Sequence, residues 1–141
     1  MNFNSFISWV LRSPLHPMVS GGMLLITVTG RKTGKRYTTP VQYLRQGDIM
    51  WVTSTRQRTW WRNLRGGAEV TLRLRGKDVN AQAEALEDEM AVAEGFRTYF
   101  QLAPNSVRYF HVKLDSTGKP EAGDIAELAR QRVVIRLHPG G

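Results

Sequence analysis

Apolar positions along this chain follow two periods, and the switch between them divides it into elements. Residues 2–12 place Phe3, Phe6, Ile7, Val10 and Leu11 at helical spacing, with Asn2 as a candidate cap and Pro14 as a stop. From residue 23 the period shortens. Residues 23–29 are β-branched or large and apolar, the composition of a buried strand, and 37–45 with 49–54 read as a hairpin across Gln46-Gly47-Asp48. The pattern predicts a short helix over 59–64, capped by Thr59 and ended by the Gly66-Gly67 pair. Residues 70–75 alternate, with Val70, Leu72 and Leu74 on one face and Thr71, Arg73 and Arg75 on the other. A turn at Gly76-Lys77-Asp78 then returns the chain along 79–86. A helix follows over 88–102, carrying Val92, Ala93, Phe96, Tyr99 and Phe100, with acids at its start and Pro104 beyond its end. Residues 107–114 alternate again and predict a strand with Phe110 and Val112 on its apolar face. A turn-rich stretch over 115–123, a helix capped by Asp124 and running to 129, and a last strand over 133–137 complete the chain.

Six or seven mostly antiparallel strands with three or four helices predict a small barrel or curled sheet, an α+β layout rather than alternating βαβ units. A length of 141 residues suits one domain with a sizeable core. Within it, residues 1–20 are a helix and connector, 21–86 the barrel core, and 87–141 a helix with the closing strands. The first helix is broken by Asn4, Ser5 and Ser8 and has no basic stretch before it, so it reads as neither a signal peptide nor a membrane span. It packs over the core or a cleft, or else touches a lipid surface. The absence of cysteine excludes disulfides, thiolate metal sites and cysteine nucleophiles, and leaves the cytoplasm as the default location.

Charge changes the picture once it is located. The net charge is +8, yet residues 30–77 hold 12 Lys/Arg against Asp48 and Glu69, a local +10, while the remainder carries eight cations against ten acids. Basic character therefore belongs to one region, suited to a phosphate-bearing or polyacidic ligand, to nucleic acid or to an anionic surface. Its densest part is Gly30-Arg31-Lys32-Thr33-Gly34-Lys35-Arg36-Tyr37-Thr38-Thr39-Pro40. Four cations, three threonine hydroxyls and two glycines with backbone freedom describe an anion cradle in which successive amides form a nest. They equally describe a solvated basic hairpin loop. Gly34-Lys35-Arg36 fails the Walker A pattern.

The stretch Gly30 to Lys35, then Thr38-Thr39-Pro40, a hairpin, and Trp60-Trp61-Arg62-Asn63-Leu64 before a Val-Thr-Leu strand resembles the deazaflavin-dependent nitroreductases and quinone reductases. These are split β-barrel proteins similar to flavin-binding pyridoxamine phosphate oxidases. The resemblance covers residues 20–86. It implies coenzyme F420 as cofactor, with Arg31, Lys32, Thr33, Gly34, Lys35, Arg36, Thr38, Thr39 and Pro40 on its phosphate and polyglutamate tail. It also implies that the ring lies against the barrel and that Ser54, Thr55 and Arg56 make further contacts. This chain has Ser54-Thr55-Arg56-Gln57-Arg58 where the family commonly has Ser-Lys-Gly-Gly, and Arg36-Tyr37 where it has Pro-Arg; FMN is the alternative cofactor.

Hydride transfer by such a cofactor needs no protein nucleophile, and no nucleophile–base pair or metal cluster is evident in the sequence. His16, His111 and His138 are scattered and read as structural. Trp60 and Trp61 point about 100° apart if helical, so one belongs in the core and the other against the ring or acceptor. Asn63 is a hydrogen-bonding candidate or a helix-end amide, and Tyr43, Tyr99 and Tyr109 are acceptor contacts, proton donors or core. The expected function is F420H2-dependent reduction of a quinone, nitroaromatic or activated enone. An F420 or flavin carrier without turnover is the alternative, and a nucleic-acid module using residues 56–75 is the alternative of another class. A homodimer, and peripheral contact of the first helix with the inner membrane face, complete the expectations.

Overall fold

A computed structural model describes residues 19–140; the helix expected over 2–12 and His16 lie outside the described residues. Strands β1 (Val19–Thr29), β2 (Arg36–Gln46), β3 (Ile49–Thr55), β4 (Ala68–Leu74), β5 (Lys77–Leu86) and β6 (Arg132–Pro139) close into an antiparallel barrel in the order β1-β2-β3-β6-β5-β4. Helices α1 (Glu89–Leu102), α2 (Ser106–Tyr109) and α3 (Ala122–Gln131) accompany it, with a 3-10 helix over Trp60–Leu64. The fold is α+β, a six-stranded split barrel.

Period-two alternation fills the barrel. Leu24, Ile26 and Val28 of β1, Val41 and Tyr43 of β2, and Val70 and Leu72 of β4 point into one core, which the 3-10 helix completes with Trp60, Trp61 and Leu64. β3 and β6 are buried on both faces. Met50, Val52, Val133 and Ile135 face inward, while Trp51 and Val134 face a second core made by α1 and α3. Gly95 lets α1 come this close, since a Cβ there would lie 3.1 Å from Val134 Cγ2. Asp88 caps α1 by accepting from Ala91 N–H at 3.1 Å.

Four local expectations are corrected. Residues 107–114 are not a strand: α2 and a turn occupy them, and only Leu114 makes a bridge, to Pro120. Burial of Val107, Phe110 and Val112 imitates alternation, but Ser106 Oγ turns back onto Ala103 O at 2.6 Å and the chain continues as a helical turn. α3 starts two residues before Asp124, whose carboxylate accepts instead from Lys113 N–H at 2.9 Å. Thr59 makes no side-chain cap, although Gly66 and Gly67, at φ +75° and +95°, do end the 3-10 helix. The second hairpin loop is Arg75-Gly76, both at positive φ as a two-residue hairpin with the strand twist demands, so Lys77 and Asp78 belong to β5.

The barrel is split at one place. β1 and β2 pair along all eleven residues of β1, from Val19↔Gln46 to Thr29↔Arg36, whereas β2 and β3 pair only from Gln46↔Ile49 to Leu44↔Trp51. Beyond that point β2 stays with β1 and β3 stays with β6 as far as Thr55↔Arg132. The two strands part, and Pro40, which has no N–H to give a ladder, lies in the diverging half.

Candidate active site

The divergence of β2 and β3 opens a cleft of ≈ 400 Å³. Pro40, Val41 and Gln42 form one wall and Thr53, Ser54 and Thr55 the other; Trp60 and Arg58 lie between, with Tyr99, Tyr109, Phe110 and Arg132 contributed by the later third of the chain. Trp60 is only 8% exposed, and its buried Nε1–H has no partner among the described residues, as is also true of Trp51 and Trp61.

The basic loop adjoins this cleft through β2. Gly30 N–H donates to Lys35 O at 2.7 Å and Gly34 N–H to Gly30 O at 2.8 Å, closing a tight turn with Gly34 at φ +73°. A Cβ on Gly30 would come within 2.9 Å of Tyr37 Cε2 and 3.3 Å of Lys35 O, so the Tyr37 ring would have to shift to admit one. Arg31 N–H goes to Asn63 Oδ1 at 3.1 Å and Lys35 N–H to Thr33 Oγ1 at 3.2 Å. Four loop amides, those of Gly30, Arg31, Gly34 and Lys35, are thus given to protein acceptors. Among the described residues Lys32, Lys35, Arg36 and Arg58 form no ion pair.

Several sequence candidates turn out to brace the site rather than face it. The Arg31 guanidinium donates to the carbonyls of Arg65 and, at 3.2 Å, Gly67, and Asn63 Nδ2 donates to Trp60 O at 3.1 Å, so the pair staples the loop to the 3-10 helix. Arg56 turns inward, its Nη2 donating to Glu87 O at 2.5 Å and Ala129 O at 2.8 Å. Trp61, 2% exposed, is core, with the guanidiniums of Arg62 and Arg65 at 5.8 and 5.2 Å from its ring centroid. Arg36 reaches Thr71 Oγ1 at 3.3 Å and Thr38 pairs with Thr27 through their hydroxyls at 2.8 Å. Thr39 accepts from Arg58 at 3.2 Å, and Ser54, 4% exposed, donates to Thr55 O. His138 lies 3.6 Å from Glu84 and His111 is exposed; the described residues contain no cluster able to hold a metal.

Arg58 and Arg132 line the cleft without having been singled out as its walls in the sequence, whereas Tyr99 was a candidate acceptor contact there. Arg132 Nη2 donates to Thr53 Oγ1 at 3.1 Å, and its guanidinium sits 5.0 Å from the Phe110 ring centroid. Burial pushes the Tyr99 phenol up and the Arg132 guanidinium down, and each partly offsets the other's shift. Tyr99 therefore stays protonated across the neutral range. Tyr43 is core, and burial raises its phenol to about 12.

The model of the F420H(2)-dependent quinone reductase family matches residues 14–116, well over half of the chain. The chain belongs to this family. It is a deazaflavin-dependent reductase, an F420H2-dependent oxidoreductase acting on a small-molecule acceptor. Among solved structures it is similar to a putative pyridoxamine 5'-phosphate oxidase from Listeria innocua, at 12% identity over 98% of this chain and 93% of that one, with a TM-score of 0.52. It is also similar to an FAD and heme binding protein from Mycobacterium smegmatis, at 14% identity over 84% of this chain and 60% of that one, with a TM-score of 0.51. An F420 reductase matches at 15% identity over 100% of this chain and 95% of that one, with a TM-score of 0.48. The first two likenesses show a common split-barrel fold. No curated protein matches the reductase in sequence. Among its described residues, no helix is long and apolar enough to cross a membrane.

The residues present fit an F420-type cofactor: Lys32, Lys35, Arg36 and Arg58, which form no ion pair among the described residues, for its acidic tail, and a cleft walled by Pro40, Thr55 and Trp60 for its ring.

Proposed function

We propose that the basic loop and the cleft are two ends of one cofactor site in a quinone reductase. The observation that carries this is the course of β2. It leaves the loop at Arg36 and enters the cleft at Pro40, four residues and about 13 Å later at the usual strand rise. Lys32, Lys35 and Arg36 hold the phosphate and polyglutamate carboxylates as charge-assisted contacts, with Thr33, Thr38 and Thr39 adding hydroxyls and Arg58 standing at the junction. Arg31 and Asn63 keep the loop in place, and Gly34 lets it turn. Pro40, Ser54, Thr55 and Trp60 line the slot for the ring. Arg56 and Trp61 support these walls from behind.

When bound, the reduced cofactor supplies the hydride. The protein orients the acceptor and keeps water from the transfer. Tyr99, Phe110 and Tyr109 present an aromatic wall on which a planar quinone stacks, Tyr99 meeting Phe110 edge-on at a centroid distance of 5.7 Å. Solvent, or the exposed Tyr109 hydroxyl, returns the proton. Met23 and Leu25, 44% and 39% exposed beside Pro40, support a homodimer contact at the cleft mouth, and the apolar stripe of residues 2–12 supports peripheral contact with the inner membrane face. Sedimentation velocity and vesicle flotation test these two points.

Oxidation of F420H2, followed by the return of F420 absorbance on adding a water-soluble naphthoquinone, tests the function. Catalytic turnover with the quinone, slower with a nitroaromatic and absent with reduced FMN, is expected; F420H2 that stays reduced overturns the assignment.

A further inference from the structure

Arg132 is a cleft cation that the cofactor site does not use. It opens β6 opposite Thr55, at the far side of the split from the basic loop. Its guanidinium is half-buried, stacked on Phe110 and tethered to Thr53, and among the described residues no carboxylate lies within ion-pair distance. Of its five N–H donors one has a partner among the described residues, and Nε is buried with none. A surface arginine in this state needs no explanation. One withdrawn into a cleft has lost hydration without gaining a counter-ion, an expense proteins carry where a ligand supplies the missing charge.

We propose that Arg132 is the oxyanion-binding group of the acceptor subsite, taking the acceptor oxygen that becomes negative during reduction. This rests on the quinone reductase reading above for the identity of the acceptor. A quinone that accepts one hydride, and with it two electrons from the reduced cofactor, becomes a hydroquinone monoanion while the cofactor is oxidised. One proton from solvent then completes the hydroquinone. The charge that appears on the acceptor is a phenolate oxygen, and Arg132 is placed to meet it: Phe110 and Thr53 fix the plane of the guanidinium, so little reorganisation accompanies the reaction. Arg58 is the other cleft cation, but it is exposed and turned to Thr39 on the cofactor side. The preference follows: acceptors whose reduction leaves charge on a ring or enolate oxygen are favoured over those that leave none.

The subsite can be tested without cofactor, using 4-nitrophenol, whose phenolate absorbs in the visible. Protein free of F420 is titrated with 4-nitrophenol across its ionisation range, alongside Arg132→Met, which keeps the stem over Phe110, and Arg132→Lys, which keeps the charge. The phenolate is expected to bind the unsubstituted protein about tenfold more tightly than the phenol, a preference lost in Arg132→Met and partly restored in Arg132→Lys. With F420H2 and a naphthoquinone, Arg132→Met is expected to lower kcat/KM by about 10²-fold while the F420 Kd moves less than about twofold. No phenolate preference in the unsubstituted protein overturns the proposal even if the variants fail to fold, and so does a preference that survives in Arg132→Met. Phenolate preference in a protein that fails to bind F420 supports the subsite while overturning the cofactor assignment.

Discussion

Two arginines two positions apart divide the labour of the loop after β3. Arg56 and Arg58 are indistinguishable in sequence, yet Arg56 is half-buried and satisfies the carbonyls of Glu87 and Ala129, while Arg58 is exposed beside the cleft. Removing Arg56 strands two backbone acceptors. Arg56→Met is therefore expected to destabilise the protein by about 2 kcal/mol or more in denaturant unfolding and to leave the F420 Kd nearly unchanged. Arg58→Met is expected to do the opposite, weakening F420 binding with a midpoint close to that of the parent. A phenol raised by burial makes a separate point at this scale. Tyr43, at about 12 in the folded state against 10.0 as its ordinary value, holds its proton more tightly folded than unfolded. Its contribution is complete below about pH 10 and lost as pH rises towards 12, so the melting temperature is expected to fall through that window. Tyr43→Phe flattens the fall, and an unchanged alkaline profile in that variant contradicts the assignment.

Elements were legible where one period ruled for a full length. β4, β5 and α1 each carry an uninterrupted apolar face, and Asp88 caps α1; β1 does so only from Leu24 to Val28 and begins at Val19, four residues before the expected start. Residues 107–114 were not legible, because Val107, Phe110 and Val112 satisfy either period over so short a stretch; a short helix and a turn occupy them, with Val107 and Val112 buried in the second core. β3 and β6 read as plain strands, but nothing local says that Val134 belongs to a second core on the outer face. That layer depends on Gly95. Gly95→Val, forced against Val134, is expected to cost ~1–3 kcal/mol by overpacking. It leaves the quinone reductase reaction largely intact, since Val134 faces the helices and not the cleft. Thermal melts with parallel turnover assays check both halves.

At the scale of the molecule, the basic loop could be located from Gly30 to Pro40 because its residues are contiguous, whereas the far side of the cleft could not. Arg132 stands 79 positions from Thr53, the residue it binds, and only closure of β6 on β3 unites them with Tyr99 and Phe110. The amides of the loop were also illegible, since their capture by Lys35, Asn63 and Thr33 is tertiary or turn-specific. What composition did convey is the asymmetry of charge: a region of local +10, in which Lys32, Lys35, Arg36 and Arg58 form no ion pair among the described residues. The central claim is that these cations hold the tail of F420, and a fluorescence titration with F420 of the protein and of its Lys32→Ala/Lys35→Ala variant, at low and at moderate salt, tests it most directly. The account predicts saturable quenching that weakens by about tenfold or more in the variant, together with a shallower salt dependence; equal affinity and equal salt dependence in the two proteins contradict it.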